Sequence, residues 1–247
     1  MYIDKLVQIL ESGRHIVFFG GAGVSTASGI PDFRSSDGLF NQQLGRHFTP
    51  EQLISHSFFL KYPKEFFEFY KNNLIYPKAI PNRCHLALAK LEHMNKLDAV
   101  ITQNIDGLHQ AAGSTTVYEL HGSVHRNFCT NCEKKYPLEY ILKSTGTPIC
   151  DMCGSIIKPD VVLYEEALND KILSNAIHAI TQADTLIIGG TSLIVYPATG
   201  LIRYFNGKNL VLINKTPTPA DSHADLVINE SIDAVLGDAV DILQKKL

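Results

Sequence analysis

The chain has 247 residues, 45% of them hydrophobic and 19% charged, with a formal net charge of −3. That length predicts one large domain, or one domain with a sizeable insertion, able to bury enough surface to fold without disulfides. The balance of 22 basic against 25 acidic residues argues against a general nucleic-acid binder, no apolar run approaches the ~20 residues of a membrane span, and the first residues carry no signal-peptide pattern. A cytoplasmic globule is the expectation.

In chain order, residues 1–12 place Ile3, Leu6, Val7 and Leu10 at helical spacing. Residues 15–20 form a short apolar run of the buried-strand type that opens into Gly20-Gly21-Ala22-Gly23-Val24-Ser25, a turn for which bulky side chains leave no room. Residues 29–48 read as a long loop, and 50–76 as a helical stretch with Phe58, Phe59, Phe66, Phe67, Phe69 and Tyr70 on and around a packing face. A helix over 83–95 leads to a strand over 99–102, which runs into Gln103-Asn104-Ile105-Asp106-Gly107, and a short strand over 117–120 ends at His121-Gly122. After residue 160 the alternation resumes: helix 169–182, strand 185–188 ending in Gly189-Gly190-Thr191-Ser192, helix 197–205, strands 210–213 and 226–228, and a closing helix 231–246.

Strands alternating with helices predict a doubly wound parallel α/β sheet. The expected division is a discontinuous sheet domain of residues 1–28, 81–123 and 161–247, interrupted by a loop-and-helix insertion of 29–80 and a metal-binding module of 124–160. A ligand cleft is expected between the carboxyl edge of the sheet and these insertions.

Four of the five cysteines fall in one 25-residue window, as Cys129-x-x-Cys132, seventeen intervening residues, and Cys150-x-x-Cys153. Two such pairs can close tetrahedrally on zinc, and four thiolates leave no open position, so the metal is expected to be structural. Cys84, on an apolar helix beside Leu86 and Leu88, reads as an inert buried thiol.

The glycine-rich turn offers backbone amides to phosphate oxygens at the expected start of a helix. It departs from the dehydrogenase fingerprint: Thr26 stands where the third glycine belongs, and no acidic residue ends a second strand about 20 residues on. A third group of residues, Gln103, Asn104, Asp106, His121, Thr191, Ser192 and Asn214, sits at strand ends, which converge on one crevice in an open parallel sheet. Among ten histidines, His121 stands out because it ends a strand, precedes a glycine and abuts the cysteine module. Its imidazole can titrate near neutrality and serve as a general base. His109 and His125 read as structural or peripheral.

Together these motifs resemble the sirtuin (Sir2) family of NAD-dependent protein lysine deacylases. The resemblance is carried in order by Gly21-Ala22-Gly23-Val24-Ser25, Gly29-Ile30-Pro31-Asp32-Phe33-Arg34, Thr102-Gln103-Asn104-Ile105-Asp106, His121-Gly122, the paired CxxC, Gly190-Thr191-Ser192 and Ile213-Asn214, over essentially the whole chain. It implies a Rossmann-like sheet with a zinc-ribbon module and a helical insertion. It also implies NAD as co-substrate, with the pyrophosphate on the turn of Ala22, Gly23, Ser25 and Thr26. The adenosine half would lie near Gly190, Thr191, Ser192, Asn214, Lys215 and Ile232. Nicotinamide would enter a pocket of Ile30, Asp32, Asn104, Ile105 and Asp106 beside Gln103, with Phe33 shielding the reactive ribose face and Arg34 placing loop and phosphates.

In the implied reaction the acyl-lysine oxygen attacks the ribose carbon that nicotinamide leaves, and His121, aided by Asn104, acts as general base on a ribose hydroxyl. The products are free lysine, nicotinamide and O-acyl-ADP-ribose. Val161-Val162-Leu163-Tyr164 resembles the strand that pairs with the substrate peptide, although Tyr164-Glu165-Glu166 replaces the family's Phe-Gly-Glu. Family members that take succinyl or malonyl groups carry Tyr-x-x-Arg where this chain has Tyr70-Lys71-Asn72-Asn73. Asn73 lacks the guanidinium that would pair with an acyl carboxylate, so neutral acyl groups, acetyl first, are expected. Competing readings are protein ADP-ribosyl transfer, a non-catalytic NAD-sensing zinc-ribbon interaction module, and hydride transfer.

Overall fold

The computed structural model describes residues 2–33, 38, 48–196 and 198–246. Arg34 and most of the expected 29–48 loop lie outside the described residues. Helix α1 (Tyr2–Ser12) precedes strand β1 (Ile16–Gly20), which is buried at every position. Side chains alternate across a strand, so Ile16 and Phe18 join a core with Leu6, Leu10, Leu88 and Leu236. Val17 and Phe19 point the other way, into a core with Ile180, Leu186 and Leu201. Burial on both faces explains why the strand reads as a continuous apolar run.

The expected helical stretch over 50–76 is three short helices, α2 (Pro50–Leu53), α3 (His56–Lys61) and α4 (Pro63–Asn73). Ser55 starts α3 by accepting the Phe58 N–H, and Pro63, which has no N–H to continue α3, occupies the first turn of α4. Then follow α5 (Arg83–His93), β2 (Leu97–Thr102), α6 (Leu108–Ala111) and β3 (Val117–Glu119). The cysteine module contains β4 (Gly122–Cys129), β5 (Lys135–Tyr136), α7 (Leu138–Lys143) and β6 (Ile157–Val161). The chain ends with α8 (Asp170–Gln182), β7 (Thr185–Gly189), β8 (Asn209–Ile213), β9 (Leu226–Ile228) and α9 (Ile232–Gln244). The expected helix over 197–205 is a 3-10 helix, Ala198–Tyr204.

Six strands form one sheet in the order β3-β2-β1-β7-β8-β9, all parallel. With helices covering both faces, the fold is a Rossmann-like doubly wound sheet, as expected. Strand order reverses between β1 and β7, which places a crevice outside their carboxyl ends. The second sheet, β5-β4-β6, is antiparallel. It shares a third core with the helical insertion, in which Phe66, Phe67 and Tyr70 pack in one cluster with Cys129, Tyr136, Ile141 and Ile157. The aromatic residues of the insertion therefore serve packing.

Candidate active site

At the β1–β7 crevice two glycine turns interlock. The Gly23 N–H donates to the Gly190 carbonyl at 2.8 Å, and a Cβ on Gly23 would fall 2.8 Å from the Gly190 Cα. Backbone approach this close excludes any side chain at either position. The turn is two 3-10 segments, Ala22–Val24 and Thr26–Ser28, where an α-helix start was expected. The difference has a chemical consequence. The amides of Gly21, Gly23, Val24 and Ser25 donate to Gly189, Gly190, Gly21 and Ala22 carbonyls, and the Thr26 hydroxyl donates to the Gly23 carbonyl at 3.0 Å. Fewer amides are left for an anion than a helix N-terminus would supply.

The loop after β2 lies across this turn. The Gln103 N–H donates to the Gly20 carbonyl at 3.0 Å, and its side-chain amide reaches the Thr191 hydroxyl at 3.2 Å. The Thr102 hydroxyl accepts the Asn104 N–H at 3.0 Å, and the Asn104 side-chain amide donates to the buried Ser25 hydroxyl at 3.0 Å. Ser25 in turn donates to Asp106 at 2.7 Å, and the other Asp106 oxygen accepts the Leu108 N–H at 2.9 Å. Each carboxylate oxygen keeps a second lone pair for a ligand N–H. Ile105 is held by its carbonyl, which accepts the Val124 N–H at 3.0 Å. Ile30, Asp32 and Phe33 are half-buried, and Phe33 packs on the core shared by insertion and cysteine module.

His121 stands where the two sheets meet. Its Nδ1 donates to the Gln103 carbonyl at 2.9 Å, which leaves Nε2 as the acceptor. Burial pulls its pKa below the ordinary histidine value, against a smaller upward pull from that carbonyl. Gly122, at φ +77°, begins β4, and a Cβ there would lie 1.9 Å from the Asp160 carbonyl. Only glycine lets β4 and β6 close directly beside the imidazole. His109 is buried in the interior, and the exposed His125 ring bonds the Asp106 carbonyl at 3.0 Å.

On the far side of the crevice, Thr191 is buried, Ser192 half-buried and Lys215 exposed. The Asn214 side-chain amide donates to the Thr216 carbonyl at 2.7 Å, leaving its oxygen as the available group. Ile232 is buried, at the start of α9, and its side chain fills the space beside Gly189. Of the segment expected to pair with a peptide, Val161 lies in β6, and the Val162 N–H donates to the His121 carbonyl at 3.0 Å. Tyr164 leaves that sheet and bridges Ser55 of the insertion.

The loop that follows lacks the family glycine, and Glu165 occupies the left-handed region at φ +76°. Its carboxylate accepts both the Ser57 N–H and hydroxyl at 2.9 Å. Neighbouring Glu166 takes the Leu163 N–H at 2.9 Å and Lys158 Nζ at 3.0 Å, and pairs with His56 at 2.7 Å. Burial raises its pKa, but the Leu163 amide, His56 and Lys158 outweigh that and hold it below the usual carboxylate range. This latch between the segment after β6 and α3 joins residues about 110 positions apart and was not readable from local sequence.

The four module cysteines converge as their spacing predicts. Their Sγ atoms lie within 4.8 Å of one another, with Cys129–Cys153 at 3.3 Å and Cys132–Cys150 at 3.6 Å. Thiolates held at ~2.3 Å around a zinc ion have tetrahedral edges of about 3.8 Å, so the set fits zinc. Cys84 is fully buried, and burial pushes its thiol well above the ordinary range, as an inert core thiol requires.

The Sir2 family pattern matches residues 21–197. The chain belongs to the Sir2 family. An NAD-dependent protein deacetylase of Clostridium perfringens is 65% identical over 97% of this chain and 98% of its own length. One from Clostridium acetobutylicum is 57% identical over 95% and 96%. Among solved structures, a Sir2 complex with p53 peptide and NAD+ superposes with a TM-score of 0.84 at 39% identity, over 100% of this Sir2 chain and 99% of the other. A Sir2 variant with deacetylated p53 peptide and 3′-O-acetyl-ADP-ribose gives 0.87 at 39% identity, over 99% and 98%.

Proposed function

We propose that this Sir2 chain is an NAD-dependent protein lysine deacetylase that acts in the cytoplasm on acetyl-lysine in proteins and peptides. The observation that carries this reading is the fixed tautomer of His121, whose Nδ1 is tied to the carbonyl of Gln103, the chain neighbour of Asn104 in the Asn104–Ser25–Asp106 network at the strand-order switch. Polar side chains along the crevice, Gln103, Asn104, Asp106, Thr191, Ser192 and Asn214, fit a ligand rich in hydroxyls with one carboxamide. NAD, when bound, supplies a ribose carbon made electrophilic by departure of nicotinamide, and the ADP-ribose that accepts the acyl group.

The residues divide the remaining work. Asp106 accepts from the carboxamide, and Ser25 holds Asp106 in place. Asn104 orients the reacting ribose side, and His121 Nε2 takes the hydroxyl proton. Gln103 and Thr191 join the two walls of the crevice. Val161–Tyr164 supplies backbone for an added peptide strand, which reads main chain more than sequence. Cys129, Cys132, Cys150 and Cys153 would hold one zinc in a closed set, so its contribution is to structure.

Two facts support neutral acyl groups. Tyr70 is completely buried, and the Asn73 side-chain amide is engaged by the Phe69 carbonyl at 2.9 Å. A buried hydroxyl and an amide tied to its own helix supply no positive charge to pair with an acyl carboxylate. For the reading as a whole, His121→Ala is the test. Loss of the base should lower deacetylation by about 10²- to 10⁴-fold while circular dichroism and zinc content stay at wild-type levels. Wild-type turnover in the folded variant would sink the mechanism.

A further inference from the structure

Behind the crevice, Asn82 uses every group it has. It caps α5 with φ −93° and ψ −178°, its side-chain oxygen accepting the Cys84 N–H at 2.9 Å. Its own N–H donates to His85 Nδ1 at 3.2 Å, so a histidine completes the capping box that Glu or Gln usually closes. The side-chain amide is then free to leave the helix. It donates to the Val24 carbonyl at 2.8 Å and the Ser28 hydroxyl at 2.9 Å, gripping the glycine turn at both ends. Ser25, between those two points, is tied to Asp106 and Asn104.

The path closes on itself. Accepting from Asn82 places the His85 proton on Nε2. The His85 ring lies 4.7 Å from that of His109 on α6, and both are almost completely buried. α6 begins at Leu108, whose N–H Asp106 accepts. Turn, Asp106, α6, His109, His85 and Asn82 thus form a ring of contacts around the back of the pocket. His85 Nε2 and both His109 nitrogens have no partner among the described residues, a cost that an apolar pair would avoid. An apolar residue at 85 could not accept the Asn82 N–H. Burial pushes His85 down to about 4 and, joined by His85, holds His109 well below its ordinary value, so both rings are neutral at pH 7.

We infer that Asn82, oriented by His85, is a positioning residue for the cofactor pocket, setting the Ala22–Ser28 turn against the Asn104–Asp106 loop. The inference rests on the NAD reading given above. Asn82→Ser isolates it, because serine caps a helix about as well as asparagine but cannot extend an amide to Val24 and Ser28. Losing these two hydrogen bonds should raise the KM for NAD, and the Kd for NAD by titration calorimetry, about five- to tenfold. The KM for acetyl-lysine peptide should stay within about twofold, because the hydrogen bonds of Asn82 run to Val24, Ser28, Cys84 and His85 and none reaches Val161–Tyr164. His85→Gln, which restores the usual capping-box acceptor, should keep NAD affinity near wild type, while His85→Leu should lose it as Asn82→Ser does. Unchanged NAD affinity in Asn82→Ser, or equal rises in both KM values, would overturn the inference. Should Asn82→Ser not fold, Asn82→Asp, which keeps the cap but sets an oxygen against the Val24 carbonyl, is read by the same comparison. A wild-type protein that binds no NAD would instead defeat the proposed function, so the two failures are distinguishable.

Discussion

As the proposed base, His121 must be neutral before it takes a proton, and its surroundings favour that form. Burial disfavours the imidazolium, and this outweighs the Gln103 carbonyl, which stabilises it. The folded pKa therefore lies below the ordinary value of about 6.5, and activity should persist as pH falls past that value and be lost only through the lowered pKa. A pH profile of kcat/KM measures this; an acid limb centred above pH 6.5 would contradict it. His121, Asn104 and Asp106 were legible in the sequence because polar residues that end apolar runs stand out. Asn82 was not. Its side-chain amide bonds Val24 and Ser28, 58 and 54 residues away in the chain, and no local pattern shows contacts of that range. The Glu165 backbone was hidden for another reason: its positive φ is compensated by Ser57, on a different element.

Between β4 and β6 the pairing of Gly122 with Val161 is immediately next to His121, and the same two strands carry on to Cys129 opposite Ile157. Zinc would thus brace the sheet whose other end positions the base. Chelation should remove about one zinc per chain, loosen β4–β6 and abolish activity, although the metal touches no reacting atom. Hydrogen exchange should show the loss of protection confined to the module and its shared core, with β1, β7 and β8 still protected. A metal-free protein with full activity would refute this role. The paired CxxC was plain in the sequence, because four thiols at this spacing have few other uses. The partnership of the module with the helical insertion was not, because phenylalanines at helical spacing show that a face is buried without showing against what. The 3-10 geometry of Ala198–Tyr204 and of the glycine turn was also unreadable, since apolar spacing cannot separate one helix type from another at such short lengths.

For the whole molecule, strand-helix alternation was enough to read a parallel doubly wound sheet. The strand order was not, because β1 and β7, side by side at the centre, are far apart in the chain. That order matters most for function: it opens the crevice where the glycine turns meet, and it draws Asn104 and Asp106, His121, and Thr191 from three separate segments to one edge. Among the described residues no helix is long and apolar enough to cross a membrane. A site of this construction should couple two bond-breaking events in fixed proportion. The decisive measurement is mass spectrometry of the products formed from NAD and an acetyl-lysine peptide. For each lysine freed, one nicotinamide and one O-acetyl-ADP-ribose should appear. Free acetate with NAD intact, or ADP-ribose attached to protein with the acetyl group still on lysine, would show that this site performs a different reaction.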